Sequence, residues 1–203
     1  MEKMQLTATK LDTFFRMIQI FISIALVASL VGLAITGAYF LFDLSAAIIG
    51  TGYGSVDIGF LELEIAESYP LSRDVIILGA AGELALGFLC LLTGRVCIKC
   101  VRNILAPMSA GTPFSSEVSK NLGALAQQSL SLGIKLNLME LLGNVLAVQA
   151  YDLTGLLISE NITHVTANYT FDLGFVVIAA VFWLLSFVFR YGEGLQQLSD
   201  ETL

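Results

Sequence analysis

The sequence predicts an all-α membrane protein built as a four-helix transmembrane bundle. The chain has 203 residues, of which 56% are hydrophobic, and its mean hydropathy is +0.82. Charged residues make up 13%, whereas soluble domains carry roughly 25%. The apolar residues are concentrated in four stretches, each long enough to supply the roughly 20 residues that cross the hydrocarbon core of a bilayer. We therefore expect one integral membrane domain over residues 1–203.

The four helices are predicted at about residues 15–43, 75–101, 113–151 and 171–192. The first apolar run is too long for a cleaved signal peptide, whose apolar region spans about 7–15 residues. The residues before it are interpreted as a helical extension of the first span, with a separate interfacial helix as the alternative. The third helix is the most polar, and Thr112 followed by Pro113 is typical of a helix start.

Two acidic loops, at about residues 44–74 and 152–170, join the first helix to the second and the third to the fourth. In the first loop, apolar residues at 61, 63 and 65 alternate with Glu62 and Glu64, which is the period of a half-buried strand. Residues 162–167 show the same alternation more weakly. The pattern predicts a small β element in these loops, in which the two strand-like segments are candidate partners.

The distribution of basic residues predicts the orientation of the chain. Eight of the ten Lys and Arg residues lie near the helix ends on one side, namely around the start of the first helix, from the end of the second into the start of the third, and at the end of the fourth: Lys3, Lys10, Arg16, Arg95, Lys99, Arg102, Lys120 and Arg190. Because basic residues accumulate on the cytoplasmic side, both termini are expected in the cytoplasm of a multi-pass cell-membrane protein. The two acidic loops are then extracytoplasmic, and the first partner of the chain is the lipid bilayer.

Polar residues within the predicted spans are candidates for function, because ionisable groups in a membrane are costly and usually face protein or water. They form a predicted intramembrane polar cluster of Glu83, Asn137, Glu140 and Asn144. One reading is a polar cavity for a cation, a proton or a small ligand. The other is a set of hydrogen bonds between helices that holds the bundle together. A homo-oligomer that shares the polar third helix is a further alternative.

The sequence offers no set of residues with the spacing of a catalytic or metal site. Cys97 and Cys100 have the spacing of a redox or zinc pair, but zinc needs four ligands and His164 is predicted on the opposite side of the membrane. We therefore expect a non-enzymatic protein without catalytic residues, metal or cofactor. The net charge of −7 is also unsuited to direct nucleic-acid binding, which needs clustered Lys and Arg.

Two stretches carry a resemblance to a known family. They are GTPFS at residues 111–115 and RYGEGLQQLSDETL at residues 190–203. Together with four spans and acidic outer loops, they resemble domain-of-unknown-function family 2975, a group of small bacterial membrane proteins. The resemblance implies no activity. By association with neighbouring genes, it implies a small cytoplasmic helix-turn-helix transcription regulator as partner.

Such a regulator would meet the cytoplasmic face, which consists of the connector (residues 102–120) and the tail (residues 191–203). The candidate interaction residues of the tail are Tyr191, Gly192, Leu195, Gln196, Asp200, Glu201, Thr202 and Leu203. Its acidic groups are able to imitate phosphates for a basic DNA-binding surface. Two other functions stay open: immunity to a peptide toxin through the outer loops, and a small transporter that uses Glu83 and Glu140.

Overall fold

The computed structural model describes residues 2–42, 54–58, 61–65, 73–150, 152, 155 and 170–201. These contain four helices and two strands: α1 (Glu2–Phe42), β1 (Gly54–Ile58), β2 (Leu61–Ile65), α2 (Arg73–Ser109), α3 (Ser116–Ala150) and α4 (Gly174–Glu201). Each helix contains a stretch that is long and apolar enough to cross a membrane, namely Thr9–Leu41, Asp74–Ser109, Ser116–Ala150 and Gly174–Leu198. The predicted helical class is confirmed, with four helices that are long and apolar enough to span a membrane.

α1 is one continuous helix that begins at Glu2, well before the predicted start near residue 15. The segment from residue 2 to residue 31 has no glycine or proline to interrupt it. Its first turns are also held by a tertiary contact, because Nε of Arg102 in α2 donates to Oδ1 of Asp12 at 2.7 Å. The polar residues before the first apolar run are therefore a helical extension of the span.

The turn between α2 and α3 is a helix cap centred on Gly111. Gly111 has φ 83°, and its N–H donates to the carbonyl of Met108 at 3.3 Å while that of Thr112 donates to Pro107 at 3.0 Å. This is the Schellman arrangement, in which glycine adopts the left-handed conformation without a steric penalty. Thr112 therefore caps the end of α2, and α3 begins at Ser116, later than the predicted residue 113.

α4 runs from Gly174 to Glu201, so the helix continues past the predicted end at residue 192. At its start, Oδ1 of Asp172 accepts a hydrogen bond from the N–H of Gly174 at 2.7 Å. Glycine is unfavourable in the interior of a helix, yet Gly192 and Gly194 both lie within α4. The predicted tail is thus helical through Glu201, whereas Thr202 and Leu203 lie outside the described residues.

The two strands pair as an antiparallel hairpin, with Gly54 opposite Ile65 and Ile58 opposite Leu61. The alternating segment at residues 61–65 is β2, and its partner β1 comes immediately before it in the chain. Residues 162–167, the other candidate partner in the sequence, lie outside the described residues.

The chain divides into two compact units. The first unit comprises Met1–Ala28, Phe88–Asn137 and Phe171–Leu203, and the second comprises Ser29–Gly87 and Leu138–Thr170. The core of the first unit lies along α3, where Val118, Leu122 and Leu125 are 0%, 6% and 5% exposed. Their spacing of four and three residues places them on one face of the helix. Ala179 of α4 is buried as well.

In the second unit, α2 and α3 approach closely at glycines of α2. A Cβ atom at Gly79 would lie 2.7 Å from a methyl carbon of Leu146, and one at Gly82 would lie 3.0 Å from Leu142. α1 joins the same unit through Ser29, whose hydroxyl donates to the carbonyl of Leu84 at 3.3 Å. Small residues at such contacts let helix backbones approach in a membrane, where helices associate largely by van der Waals packing.

Candidate interaction site

In the first unit, Phe114 of the connector packs on α4, against Phe189 just before the tail and against Gly192 within the tail. The ring of Phe114 lies 5.6 Å from that of Phe189, with an angle of 36° between the ring planes. A Cβ atom at Gly192 would lie 2.6 Å from Cδ1 of Phe114, which is closer than carbon atoms approach. The absence of a side chain at residue 192 therefore allows the connector to lie directly on α4. Residues 111–115 and 190–203 are therefore in contact here.

A second contact holds α4 against α3 near this aromatic contact. The hydroxyl of Ser186 donates to the carbonyl of Ser119 at 2.7 Å, and Ser119 itself is buried. Gly123 lies one turn further along α3, where a Cβ atom would stand 3.4 Å from Oγ of Ser186. The end of α4 is thus positioned on α3 by a hydrogen bond and a close approach, as well as by Phe114.

The tail exposes an apolar helical face together with acidic groups. Tyr191 and Leu195 lie one helical turn apart and are 71% and 51% exposed. Gln196 and Glu201 are also exposed, and Gly192 is half-buried beneath Phe114. Asp200 belongs to α4. Through Tyr191 and Leu195, this surface can contact an apolar patch on a partner. Its acidic groups present negative charge to a basic partner.

Asn137, a member of the predicted polar cluster, lies in the first unit and has a structural hydrogen-bonding role. Its side-chain amide donates to the carbonyl of Asp172 at 3.1 Å and to that of Gly133 at 2.9 Å. Its Oδ1 accepts from the N–H of Asp172 at 2.9 Å. The residue is 7% exposed. It therefore binds the backbone that leads into α4, and this pairing satisfies groups that would otherwise be buried without partners.

The other three members of the predicted cluster belong to the second unit. Glu83, Glu140 and Asn144 are each exposed, so these side chains do not line an enclosed cavity. Oε1 of Glu83 lies 3.0 Å from the position of a Cβ atom at Gly143, which places the carboxylate against the backbone of α3. Within the second unit, Glu83 of α2 thus packs against α3. Within the first unit, Asn137 bonds the backbone of Asp172.

Two polar contacts of the first unit were not anticipated from the sequence. Arg102 joins α2 to α1, since its Nε donates to Asp12 and its Nη1 donates to Oε1 of Gln19, both at 2.7 Å. Lys135 of α3 donates to Thr93 at 2.5 Å and to Ser131 at 2.8 Å. The signal in the sequence was Asp12, an acid that lies between the basic residues Lys10 and Arg16 before the first apolar run. Its partner lies 90 residues away.

The three cysteines lie in α2, within the described part of the chain. Cys90, Cys97 and Cys100 are free thiols, and Cys100 is buried. Within the part of the chain that the structure describes, no three residues of the types His, Cys, Asp and Glu are grouped in a way that would hold a metal ion. His164 is outside the described residues. The chemistry that the described site supports is recognition through aromatic, apolar and acidic groups.

No protein-family model, curated protein or solved structure matches this chain.

Proposed function

We propose that this chain is a non-enzymatic interaction protein of the bacterial cell membrane, which holds a small cytoplasmic helix-turn-helix transcription regulator on the surface formed by the connector and the tail. The main support is the contact of Phe114 with Gly192 and Phe189. This contact joins the two stretches that resemble family 2975 into one surface. Membership in that family is part of the same proposal.

The orientation that this function needs follows from the charges. Eight of ten basic residues lie near the termini and the connector, which supports a cytoplasmic location of the tail and the connector by the positive-inside rule. The hairpin of β1 and β2 is then on the outer side, where it is available to an external signal. β2 contains the acidic residues Glu62 and Glu64.

The composition of the tail supports a basic, partly apolar partner. Residues 191–203 contain three acidic side chains and no Lys or Arg. DNA-binding domains carry basic surfaces for phosphate contacts, and an acidic helix with exposed Tyr191 and Leu195 is complementary to such a surface. Binding of this kind would compete with DNA, so the membrane protein would control how much regulator reaches its operator.

Co-purification tests the proposal. The tagged chain is solubilised gently from its native host, and the retained proteins are identified by mass spectrometry. We expect a small helix-turn-helix protein with the full chain, and its loss both from a chain that ends at Arg190 and from the double variant Tyr191→Ala, Leu195→Ala. Leu184→Ala is the matched control, because Leu184 is a 66% exposed leucine of the same helix. Retention of the regulator by the shortened chain, or its absence from the full chain, would refute the proposal.

A second candidate function, transport of a cation or proton, is favoured by the exposure of Glu83 and Glu140 in apolar helices. Exposed carboxylates in a span are costly unless they meet water or protein. Replacing both by Gln and measuring ion uptake into proteoliposomes tests this function. If the wild-type chain takes up the ion and the double variant does not, the result supports transport. Equal uptake by both chains rules out a role for these carboxylates.

A further inference from the structure

A polar cavity lies between α1 and α2 in the first unit. It has a volume of about 390 Å³, and its lining includes Asp12, Gln19, Lys99, Arg102, Asn103 and Ser109. Arg102 is fixed at this site by its hydrogen bonds to Asp12 and Gln19. Since a guanidinium has five N–H donors, these bonds use only part of its capacity. Lys99 is exposed beside it. We refer to this space as the headgroup cavity.

A shallow, open apolar depression on the surface of α1 adjoins the headgroup cavity. It is formed by α1 alone and is lined by Gln19, Ile20, Ser23, Ile24, Val27 and Ala28, with Arg16 at the same end as the cavity. Gln19 lines both spaces. Ile24 and Val27 are each 61% exposed, and the groove extends over about 13 Å of helix. We refer to it as the acyl groove.

We propose that the headgroup cavity and the acyl groove together bind one anionic phospholipid, with its phosphate near Arg102 and Lys99 and an acyl chain along Ile24 and Val27. Three cations, Arg16, Lys99 and Arg102, line the two spaces, whereas Asp12 is the carboxylate among the lining residues. The excess positive charge is complementary to a phosphodiester. Basic pockets between transmembrane helices are known binding sites for acidic lipid head groups.

The joined geometry distinguishes a lipid from a soluble phosphate compound. A free phosphate ester would use the headgroup cavity and leave the acyl groove empty. A phospholipid fills both spaces, because its polar head group and its acyl chain are covalently joined. The cavity and the groove are likewise adjacent, since Gln19 lines both. The lipid would lie in the leaflet at the basic end of the helices, and it would brace α1 against α2 beside the pair of Asp12 and Arg102.

Lipid titration by native mass spectrometry tests the inference on the full chain. The detergent-solubilised protein is titrated with a phosphatidylglycerol and, separately, with a phosphatidylcholine of the same acyl chains. We expect tighter binding of phosphatidylglycerol. Lys99→Gln should weaken this binding roughly fivefold, the contribution of one basic residue at a membrane surface. Lys120→Gln, which removes an exposed lysine outside the cavity lining, should leave it unchanged. Ala28→Phe, which fills the acyl groove, should weaken the binding of both lipids.

Three results would overturn the proposal. The first is equal affinity for the two lipids in the wild-type chain. The second is an equal response of Lys99→Gln and Lys120→Gln. The third is displacement of phosphatidylglycerol by glycerol phosphate at the same concentration, which would show a site for soluble phosphate esters. Lys99→Gln keeps the pair of Asp12 and Arg102 intact, and its helical circular dichroism spectrum serves as the check of folding.

Discussion

The ring of Phe114 lies against the backbone of Gly192, so close that a Cβ atom at residue 192 would stand 2.6 Å from Cδ1 of the ring. The two residues lie on opposite sides of α3 in the sequence, one before the helix and one long after it. Their contact joins the turn between α2 and α3 to the last turns of α4. Any change at this contact is expected to affect the connector and the tail together.

Gly192→Ala should therefore destabilise the protein, by about 1 kcal/mol or more, because the added methyl group must displace the ring of Phe114. Thermal unfolding in detergent measures this change. Gly194→Ala is the control, since nothing lies within 4 Å of a Cβ atom there, and a helical glycine replaced by alanine gains about 0.5–1 kcal/mol. Equal stability changes for the two variants would show that Phe114 does not pack on residue 192.

Gly133→Ala tests the contact between α3 and α4 at the other end of the first unit. A Cβ atom at Gly133 would overlap the ring of Phe175, and overpacking of this kind costs about 1–3 kcal/mol. Adding Phe175→Ala to Gly133→Ala should recover part of the loss, because it removes the overlapping ring atoms and leaves only the Cβ atom of residue 175. Gly87→Ala, at a position with no atom within 4 Å, should be tolerated. A double variant less stable than Gly133→Ala alone would contradict the assigned contact.

The carboxylate of Asp12 is paired unequally with two arginines, and this difference can be measured. Arg102 donates to it at 2.7 Å from a position where its side chain is 28% exposed, whereas Arg16 lies 3.9 Å away and is 67% exposed. We expect Asp12→Asn to cost about 1 kcal/mol, and we expect added salt to reduce the difference from wild type.

Arg16→Gln is the control for that prediction and should change stability by less than about 0.5 kcal/mol, as surface substitutions usually do. Thermal unfolding at low and high salt compares the two variants. A larger loss for Arg16→Gln than for Asp12→Asn would show that the carboxylate interacts mainly with Arg16.

Asn137→Leu should be destabilising because it removes the side chain that bonds both the N–H and the carbonyl of Asp172. Each lost hydrogen bond costs about 1 kcal/mol, since these bonds are only partly buried. Asn144→Leu is the matched change at an exposed residue of the same helix, and we expect it to have a much smaller effect. Unfolding in detergent distinguishes the two, and similar losses would mean that Asn137 has no special role at the start of α4.

The sequence by itself determined the features that depend on local composition. Four apolar stretches identify the membrane-spanning helices, since the free energy of transfer into hydrocarbon is a property of each segment. The alternation at residues 61–65 likewise indicates a strand, and β2 covers those residues.

Only the tertiary structure decided the bounds of the helices and the partners of the polar residues. Thr112 caps α2 instead of starting α3, and α4 continues beyond Gly192, where Phe114 of the connector covers it. Asp12 is hydrogen-bonded to Arg102, 90 residues away in the sequence, and Asn137 to Asp172, 35 residues away. Such pairs depend on how each helix is rotated and how deeply its neighbour packs. Hydropathy is averaged along one helix and carries no information on either quantity.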